Sequence, residues 1–355
     1  MNQEYISIFL VPIPIMITWF ILDVVRKLSI KLRIFAVPNE RSSHTKIIPT
    51  TGGVALCISW IILILFFQNI QFDYLNIKPN PIYIYSTAAI LMCIVGFYDD
   101  LKQIPSYIKL ILQILVFLVV AIPEHSLINS FYGVLGINEL TNLQSTLFSG
   151  FVFIVIVNAI NLVDGIDGLS SSLSLFFMII SSYIFYMSGS DYYILTIAFS
   201  FSLIVFIVFN ISDKRKIFLG DTGSLGLGVS VTIITLGLLN TNQNYFTVIP
   251  INAALFVVLG LAYPLLDVIR VFVLRIYNKK SPLRADRNHI HHKVIDIGYS
   301  HVQAVFIILT FQSMLLLFNL FVINNVGLHT QILIDALLIS FILIFLFRIP
   351  NKSLS

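Results

Sequence analysis

The sequence predicts an all-α, polytopic integral membrane protein with about eleven transmembrane helices. Of its 355 residues, 58% are hydrophobic and only 11% are charged, and the mean hydropathy is +0.95. A soluble globular domain is typically about 45–50% apolar and about 25% charged, so this composition excludes a soluble enzyme, a secreted domain and a disordered protein. The apolar runs are also unbroken for about twice the ten residues of a transmembrane β-strand, which excludes a β-barrel.

The apolar runs define the predicted helices in order along the chain. Spanning about 30 Å of hydrocarbon takes roughly 20 apolar residues. The runs of that length lie near residues 5–25, 52–70, 82–98, 107–122, 147–163, 169–188, 191–211, 224–240, 248–273, 302–323 and 331–348. We do not expect the first run to be a cleavable signal peptide, because its positive charge follows the run. Cys57 and Cys93 lie inside runs, which predicts apolar packing residues and no disulfide framework.

The distribution of lysine and arginine predicts the orientation. If the N-terminus lies outside, 20 of the 21 basic residues fall on the cytoplasmic side and only Lys78 does not. Cytoplasmic loops of membrane proteins carry an excess of positive charge, so we expect the N-terminus outside and the C-terminus in the cytoplasm. Residues 1–355 then form a single transmembrane domain. The cytoplasmic loops that we expect to form its functional site lie near residues 26–51, 99–106, 161–168, 212–223 and 274–301.

Five acidic residues stand where a carboxylate is costly. Each begins or ends a run on the cytoplasmic side: Asp99, Asp100, Asp164, Asp167 and Asp221. Ionisable residues next to hydrocarbon indicate function by default. Five acids that converge on one face would repel one another unless cations intervened.

A cation is available at the start of the fourth run. Lys109 and Gln113 lie four residues apart and therefore share one face of a helix. Lys109 is either an interface anchor whose charge reaches toward water or a point charge that binds phosphate.

Two of the acidic segments contain glycines that would let a ligand approach the backbone. The turn Asn161–Gly168 holds two acids three residues apart, each followed by glycine, which permits tight turns. The segment Gly220–Ser224 opens the eighth run with a carboxylate, free backbone N–H groups and the positive end of a helix dipole. Such a segment can hold a phosphate together with Mg²⁺. The alternative is that Asp221 or Thr222 is a simple N-cap.

A basic loop near the C-terminal end of the chain contains three histidines within four residues. His289, His291 and His292 have arginine and lysine neighbours, Arg284, Arg287 and Lys293, so an anion site is favoured. Zinc is disfavoured, because the loop has no cysteine and no His-Glu-x-x-His pattern. A solvated positive-inside loop would explain the arginines but not the histidines.

These motifs, in this order, resemble those of the polyprenyl-phosphate N-acetylhexosamine-1-phosphate transferases, or glycosyltransferase family 4. The resemblance runs from Pro38–His44, through Pro49 and Gly52-Gly53, to His292. The His-Ile-His-His run is similar to the simple-sugar branch, akin to undecaprenyl-phosphate GlcNAc-1-phosphate transferases, and argues against a MurNAc-pentapeptide donor. The family transfers a sugar-1-phosphate from a UDP-sugar to a polyprenyl phosphate and releases UMP.

The resemblance implies a role for each candidate residue. Asp221 would be catalytic and ligate Mg²⁺, with Mn²⁺ as a substitute, and Asp99 and Asp100 would lie beside the acceptor phosphate. His289, His291 and His292 would complete the catalytic set near the donor phosphates. The residues implied to bind substrate are Asn161, Asp164, Asp167, Asn210, Phe218, Lys109 and Arg287, with Phe218 stacking on uracil.

The resemblance also implies the partners and the location. The substrates would be a UDP-N-acetylhexosamine and undecaprenyl phosphate, the protein would lie in the bilayer as a homodimer, and nucleic acid would not be a partner. The site would face the cytoplasm at a bacterial inner membrane and start O-antigen, capsule or other cell-envelope glycan synthesis. Direct attack by the acceptor phosphate and a two-step route through an aspartyl intermediate are both open.

Two other classes of protein compete with this interpretation. A secondary transporter also has many spans and acids at helix ends, but here the acids gather on one face and no internal repeat is evident. A CDP-alcohol phosphotransferase needs three spaced acids after an Asp-Gly, and the turn Asn161–Gly168 lacks that pattern.

Overall fold

The predicted all-helical architecture is confirmed, and a helix overlaps each predicted apolar run. The computed structural model describes residues 10–36, 48–71, 81–122, 127–190, 192–240, 251–281, 288–321 and 326–347. In chain order the helices are α1 (Pro12–Leu32), α2 (Gly52–Gln71), α3 (Pro81–Lys102), α4 (Ser106–Val120), α5 (Asn142–Leu162), α6 (Leu169–Met187), α7 (Tyr192–Ile211), α8 (Gly220–Leu239), α9 (Ala253–Gly260), α10 (Ala262–Tyr277), α11 (Ile290–Asp296), α12 (His301–Phe321) and α13 (Leu328–Phe347). A 3₁₀ turn, Val134–Gly136, lies between α4 and α5.

Length and composition mark several of these helices as candidate membrane spans. Among the described residues, five helices are long and apolar enough to cross a bilayer: α5, α6, α7, α8 and α12. The pair α9 and α10 passes the same test as one bent unit, which gives six. The protein is therefore a polytopic membrane protein, while the eleven spans and the orientation of the termini stay predictions.

Helix α8 is the centre of the bundle. It packs against α2, α3, α5, α6, α7 and α9, and 94% of its most apolar 18-residue window is buried. The helix is rich in glycine, serine and threonine, and small residues let neighbouring helices approach closely in membranes. The hydroxyl groups of Ser230 and Thr232 donate to carbonyl oxygens one turn earlier on the same helix, at 2.9 and 2.8 Å. Burial of α8 therefore leaves these hydroxyl groups paired.

A short backbone ladder holds the start of α8 in place. Strands β1 (Phe35–Ala36) and β2 (Ile48–Pro49) pair antiparallel, with Phe35 opposite Pro49. The carbonyl of Pro49 then accepts from the backbone N–H of Phe218 at 2.8 Å. Two further backbone bonds of 2.9 Å run from Gly52 to Phe218 and from Gly53 to Leu219. A Cβ on Gly53 would lie 2.1 Å from the backbone nitrogen of Gly223, so only glycine permits this approach.

The ninth predicted run, 248–273, is not one straight helix. Helices α9 and α10 meet at Leu261 with a bend of 70°, because Pro264 has no N–H to donate to the carbonyl of Gly260 and its ring crowds that carbonyl. The side chain of Gln312 on α12 satisfies both freed groups. It donates to the Gly260 carbonyl at 2.8 Å and accepts from the Tyr263 N–H at 3.2 Å. Gln312 therefore ties α12 to the bent pair at the break.

Candidate functional site

The candidate site residues from separate parts of the chain meet at one end of the bundle. Helices α3 and α5 end there, α4 and α8 begin there, and α3 and α5 both pack against α8. The five acids singled out from the sequence lie at these helix ends or in the loop 163–168 that follows α5. Packing around α8 thus concentrates carboxylates at one place, and the structure shows how their charge is balanced.

Lys109 lies between the acids of two helices. Its Nζ contacts the Oδ2 of Asp99 and lies 3.6 Å from the Oδ2 of Asp221. Asn161 donates from its Nδ2 to the Oδ1 of Asp221 at 2.7 Å and to the hydroxyl of Ser224 at 2.8 Å. The Asp99 side chain is 2% exposed, whereas that of Asp221 is 36% exposed. Of these two acids, Asp221 therefore has the accessible carboxylate, and Asp99 is buried.

Asp100 caps α8, and this changes one expectation. Its Oδ1 accepts from the N–H of Asp221 at 2.8 Å, and its Oδ2 accepts from the N–H and the hydroxyl of Thr222 at 3.0 and 2.6 Å. The sequence suggested that these N–H groups are free to bind a phosphate. That expectation is wrong for these two groups, because an aspartate from α3 already binds them and complements the helix dipole. Neither Asp221 nor Thr222 is an N-cap, since Leu219 takes that position.

Gly220 is required by its conformation and by its neighbours. Its φ is +69°, a left-handed value that side chains disfavour. A Cβ at this position would lie 2.8 Å from both the Thr50 carbonyl oxygen and the Oδ2 of Asp100. The cap of α8 and the ladder from β2 therefore converge on this glycine.

The loop 163–168 holds its two acids in opposite electrostatic states. Burial alone would raise the pKa of Asp167, but Lys216 and His301, each 2.6 Å from its Oδ2, lower it below the usual range. Burial raises the pKa of Asp164 to about 7, although a hydrogen bond of 2.6 Å from the Ser170 hydroxyl opposes the rise. One acid is therefore fixed as an anion, and the other can hold a proton near neutral pH.

Asn210 and Phe218 join the loops around the site. Asn210 is 4% exposed, and its Oδ1 accepts from the Gly168 N–H at 2.6 Å while its Nδ2 donates to the Ile217 carbonyl at 2.8 Å. The sequence placed Asn210 among the substrate-binding residues, and the structure engages both of its polar atoms with backbone groups. Phe218 is half-buried, and the Nζ of Lys216 lies 5.8 Å from the centre of its ring.

The three histidines lie in the segment 288–292, here called the histidine loop, which packs against α10. His289, His291 and His292 are 3%, 0% and 8% exposed, so these three side chains are not solvated. The Nε2 of His291 has no hydrogen-bond partner among the described residues and would lie 2.3 Å from a Cβ on Gly165, which places the histidines against the loop 163–168. Burial lowers the pKa of His291 well below its usual value. Arg287, also a candidate ligand, lies outside the described residues.

Two places in the described structure could hold a metal ion. The exposed carboxylate of Asp221 offers oxygen atoms, which suit a hard cation. Among the described residues, the side chains of Asp267, His289 and His291 also bring one ligand atom each to within 4.8 Å of one another. This second set has nitrogen donors, which suit softer metals.

Three polar residues of the site were not singled out by the sequence as functional. Lys216 and His301 pair with Asp167, and Asp267 accepts from His289. Lys216 and His301 flank apolar runs like any interface residue. Asp267 carried a signal, since it is an acid inside an apolar run, but its partner is 22 residues away along the chain.

Comparison with known proteins relates the chain to one family. The model of glycosyl transferase family 4 matches residues 82–239, the segment that carries the five acids and Lys109. A probable undecaprenyl-phosphate N-acetylglucosaminyl 1-phosphate transferase of Bacillus subtilis (strain 168) is 30% identical over 93% of this chain and 87% of the relative. An undecaprenyl-phosphate alpha-N-acetylglucosaminyl 1-phosphate transferase of Yersinia pestis is 30% identical over 89% of this chain and 82% of the relative. A decaprenyl-phosphate N-acetylglucosaminephosphotransferase of Mycolicibacterium smegmatis (strain ATCC 700084 / mc(2)155) is 28% identical over 82% of this chain and 76% of the relative. Because this similarity extends over nearly the whole chain and the family model covers the helices that build the site, the chain belongs to glycosyl transferase family 4.

Proposed function

We propose that this protein transfers N-acetylglucosamine-1-phosphate from UDP-N-acetylglucosamine to undecaprenyl phosphate, giving undecaprenyl-diphosphate-N-acetylglucosamine and UMP. The observation that carries the proposal is the joining of Asp99, Lys109, Asn161 and Asp221 at the start of α8. The names of the relatives support N-acetylglucosamine as the sugar and a polyprenyl phosphate as the acceptor.

The charge balance of the site suits two phosphorylated substrates. Both substrates are anionic, so a site for them must neutralise phosphate charge while holding carboxylates for a metal. Lys109 already neutralises Asp99 and Asp221, and Lys216 neutralises Asp167, which His301 also contacts. A phosphate that entered beside Lys109 would meet a lysine within reach of a metal-binding acid.

Magnesium is the cofactor that we propose, with Mn²⁺ as a substitute. Asp221 would hold the ion, because its carboxylate is exposed to the site and oxygen ligands are those that Mg²⁺ prefers. Asn161 fixes one carboxylate oxygen, Oδ1, and leaves Oδ2 facing Lys109. The ion would stabilise the negative charge that develops on the transferring phosphoryl group.

In the direct route, an oxygen of the acceptor phosphate attacks the β-phosphorus of the UDP-sugar. A new P–O bond forms, the bond from the β-phosphorus to the bridging oxygen breaks, and UMP leaves with that oxygen and its negative charge. Asp99 is better placed to orient the acceptor than to form a covalent intermediate. Its Oδ1 accepts from the Ile104 N–H at 2.8 Å, and its Oδ2 contacts Lys109, so both oxygens are engaged.

The donor would lie between the loop 163–168, α8 and the histidine loop. Phe218 is proposed to stack on uracil, and Asn161, Asp164 and Asp167 to line the nucleoside pocket. Asn210 would act on this pocket through the backbone groups of Gly168 and Ile217 that it holds. The three histidines and Arg287 are proposed to lie beside the diphosphate and the sugar.

The cellular setting follows from the acceptor. A lipid acceptor requires the site to lie at the membrane surface, and the distribution of basic residues predicts the cytoplasmic face of a bacterial plasma membrane. We propose eleven spans with the N-terminus outside and the C-terminus inside, and the homodimer stays a prediction from the resemblance. The secondary transporter is not favoured, because the acids lie at helix ends and not around a mid-helix cavity.

UMP release tests the proposed function. Detergent-purified protein would be given undecaprenyl phosphate, Mg²⁺ and a panel of UDP-N-acetylhexosamines. We expect release with UDP-N-acetylglucosamine only when both lipid and metal are present, and loss of release in Asp221→Asn. No release with any donor, from protein that elutes as a single folded species, would contradict the proposal.

A pair of lysines provides a matched test of the site. Lys109→Ala should lower the rate by on the order of 100-fold, the usual cost of losing one electrostatic contact to a transition state. Lys102→Ala is the control, because Lys102 ends α3, the helix of Asp99 and Asp100, and is exposed. Equal losses in the two variants would mean that Lys109 acts only through general charge at this surface.

A further inference from the structure

A polar stripe runs along the otherwise apolar helix α10. Tyr263, Asp267 and Arg270 lie at spacings of four and three residues and so share one helix face. They are 2%, 0% and 1% exposed. Buried charges are expensive unless they are paired, so this stripe requires partners, and the structure places them in the histidine loop.

Each residue of the stripe holds a different part of that loop. Asp267 accepts from the Nδ1 of His289 at 2.6 Å with its Oδ2, and from the backbone N–H of Ile290 at 2.8 Å with its Oδ1. The hydroxyl of Tyr263 lies 3.4 Å from the Nδ1 of His291. The Nη1 of Arg270 donates to the Asn288 carbonyl at 2.6 Å. A face of one membrane helix therefore fixes residues 288–291.

We propose that Asp267 is a positioning residue, which acts through His289 and locks the histidine loop against the bent helix α10. This inference rests on the proposed function, in which the histidines lie beside the donor diphosphate. A carboxylate on Nδ1–H fixes the ring orientation and the tautomer of a histidine. His289 is then held through Nδ1, and Nε2 is the nitrogen that can act on the donor.

The bend between α9 and α10 gives this arrangement its geometry. Gln312 satisfies the backbone groups freed at the bend, and α10 then carries Asp267 to the histidine loop, which in turn lies against Gly165. The chain of contacts thus links the bent helix to the loop 163–168. A straight ninth helix would place the stripe elsewhere.

A bound metal is the competing explanation for the same cluster. Asp267, His289 and His291 bring their ligand atoms within 4.8 Å of one another. However, the distance of 2.6 Å between the Nδ1 of His289 and the Oδ2 of Asp267 is that of a direct hydrogen bond. The two explanations differ in what purified protein should contain.

A double-mutant cycle tests the proposal in the full-length protein. Asp267→Asn and His289→Asn should each lower kcat/KM for UDP-N-acetylglucosamine by on the order of 10- to 100-fold, the usual cost of losing an orienting partner. In the His289→Asn background, Asp267→Asn should cost less than about threefold more, because the two residues act as a unit. Asp335→Asn is the matched control, since Asp335 is also a buried helical carboxylate, 4% exposed, held by Asn319 at 2.8 Å. Multiplicative losses in the double variant, or an equal loss in Asp335→Asn, would overturn the proposal.

Two measurements test whether Asp267 anchors the histidine loop, and neither depends on enzyme activity. Hydrogen exchange of peptides that cover residues 288–296 should be faster in Asp267→Asn than in wild type and unchanged in Asp335→Asn, and equal exchange in all three proteins would overturn the proposal.

Elemental analysis for zinc and manganese should find less than one metal ion per chain that depends on Asp267 for its retention. One ion per chain that is lost in Asp267→Asn would overturn it in favour of a metal site. If wild type released no UMP with any donor, the proposed function would fail, and these two measurements would still decide the anchoring.

Discussion

Two aspartates three residues apart in one loop should respond oppositely to the same substitution. The pKa of Asp164 is raised to about 7 by burial, whereas Lys216 and His301 outweigh the effect of burial on Asp167 and lower its pKa. Asp167→Asn should therefore lower the free energy of unfolding by about 1.5–3 kcal/mol, the range for a hydrogen bond to a charged group. Asp164→Asn should leave it unchanged or raise it at neutral pH. Thermal unfolding in detergent measures both.

The free energy of unfolding should depend on pH in opposite directions for Asp164 and Asp167. Because the folded pKa of Asp164 lies above its ordinary value of 3.8, folded protein holds a proton that unfolded chain has lost, and stability falls as pH rises from about 4 to 7. Asp164→Asn should remove that decline, so its advantage over wild type should be larger at pH 8 than at pH 5. Asp167 has a lowered pKa, and its contribution is lost only as the pH falls through that value. An Asp164→Asn advantage that is larger at pH 5 would contradict this assignment.

Gly220 allows the effect of left-handed backbone conformation to be tested separately from the effect of steric contact. Gly220 and Gly136 have φ values of +69° and +76°, but a Cβ meets backbone and Asp100 at Gly220 and nothing within 4 Å at Gly136. Gly136→Ala should cost only the left-handed strain, about 1–2 kcal/mol. Gly220→Ala should also displace the start of α8 and lower UMP release by at least about tenfold, since a misplacement of 1 Å can cost that much. Equal activity in the two variants would mean that the position of α8 does not control the reaction.

At the scale of helices, hydropathy alone was sufficient for most of the fold. The overlap of the helices with the predicted runs follows from the length of an apolar segment, which is a local property. The bend at Leu261 is not a local property. Pro264 leaves backbone groups of the helix unpaired, and the bend is stable because Gln312 of α12 binds them. The sequence showed the proline but not its partner 48 residues later.

The candidate site shows the same division between local and distant information. The acids and the histidines stood out because charged residues next to apolar runs are rare. The pairing of Asp100 with the start of α8 joins positions 121 and 122 residues apart, and no spacing rule predicts it. Asp267 lacked a role for the same reason. Sequence thus identified the chemical groups, and packing around α8 and α10 determined which of them became structural partners.

The bent helix should depend on Gln312. Gln312→Leu would leave the Gly260 carbonyl and the Tyr263 N–H without a side-chain partner, which should cost about 1–3 kcal/mol. It should also lower UMP release, because α10 positions the histidine loop. Gln303→Leu is the control on the same helix, since Gln303 is exposed and caps the start of α12 through Ser300. Thermal unfolding and UMP release of both variants measure the effects, and equal unfolding temperatures would contradict the role of Gln312.

At the scale of the whole molecule, the side of the membrane on which Lys280 lies tests whether α9 and α10 together cross it. Leu135, before α5, and Lys214, after α7, are separated by α5, α6 and α7, each long and apolar enough to span. They should therefore lie on opposite sides. Lys280, after α10, is separated from Lys214 by α8 and the bent pair. A crossing pair returns Lys280 to the side of Lys214, whereas a re-entrant pair leaves it on the side of Leu135.

The contacts of the site favour the crossing pair. Lys216 binds Asp167, and His291 lies against Gly165 in the same loop, so residues 214 and 280 should flank one membrane face. Single cysteines at Leu135→Cys, Lys214→Cys and Lys280→Cys, in a background with Cys57→Ser and Cys93→Ser, would be labelled with a membrane-impermeant maleimide. We expect Leu135→Cys to react in intact cells, and the other two only after permeabilisation. Reaction of Lys280→Cys in intact cells would show that the pair is re-entrant. The histidine loop and the acids would then lie on opposite sides of the membrane, which would contradict the proposed reaction.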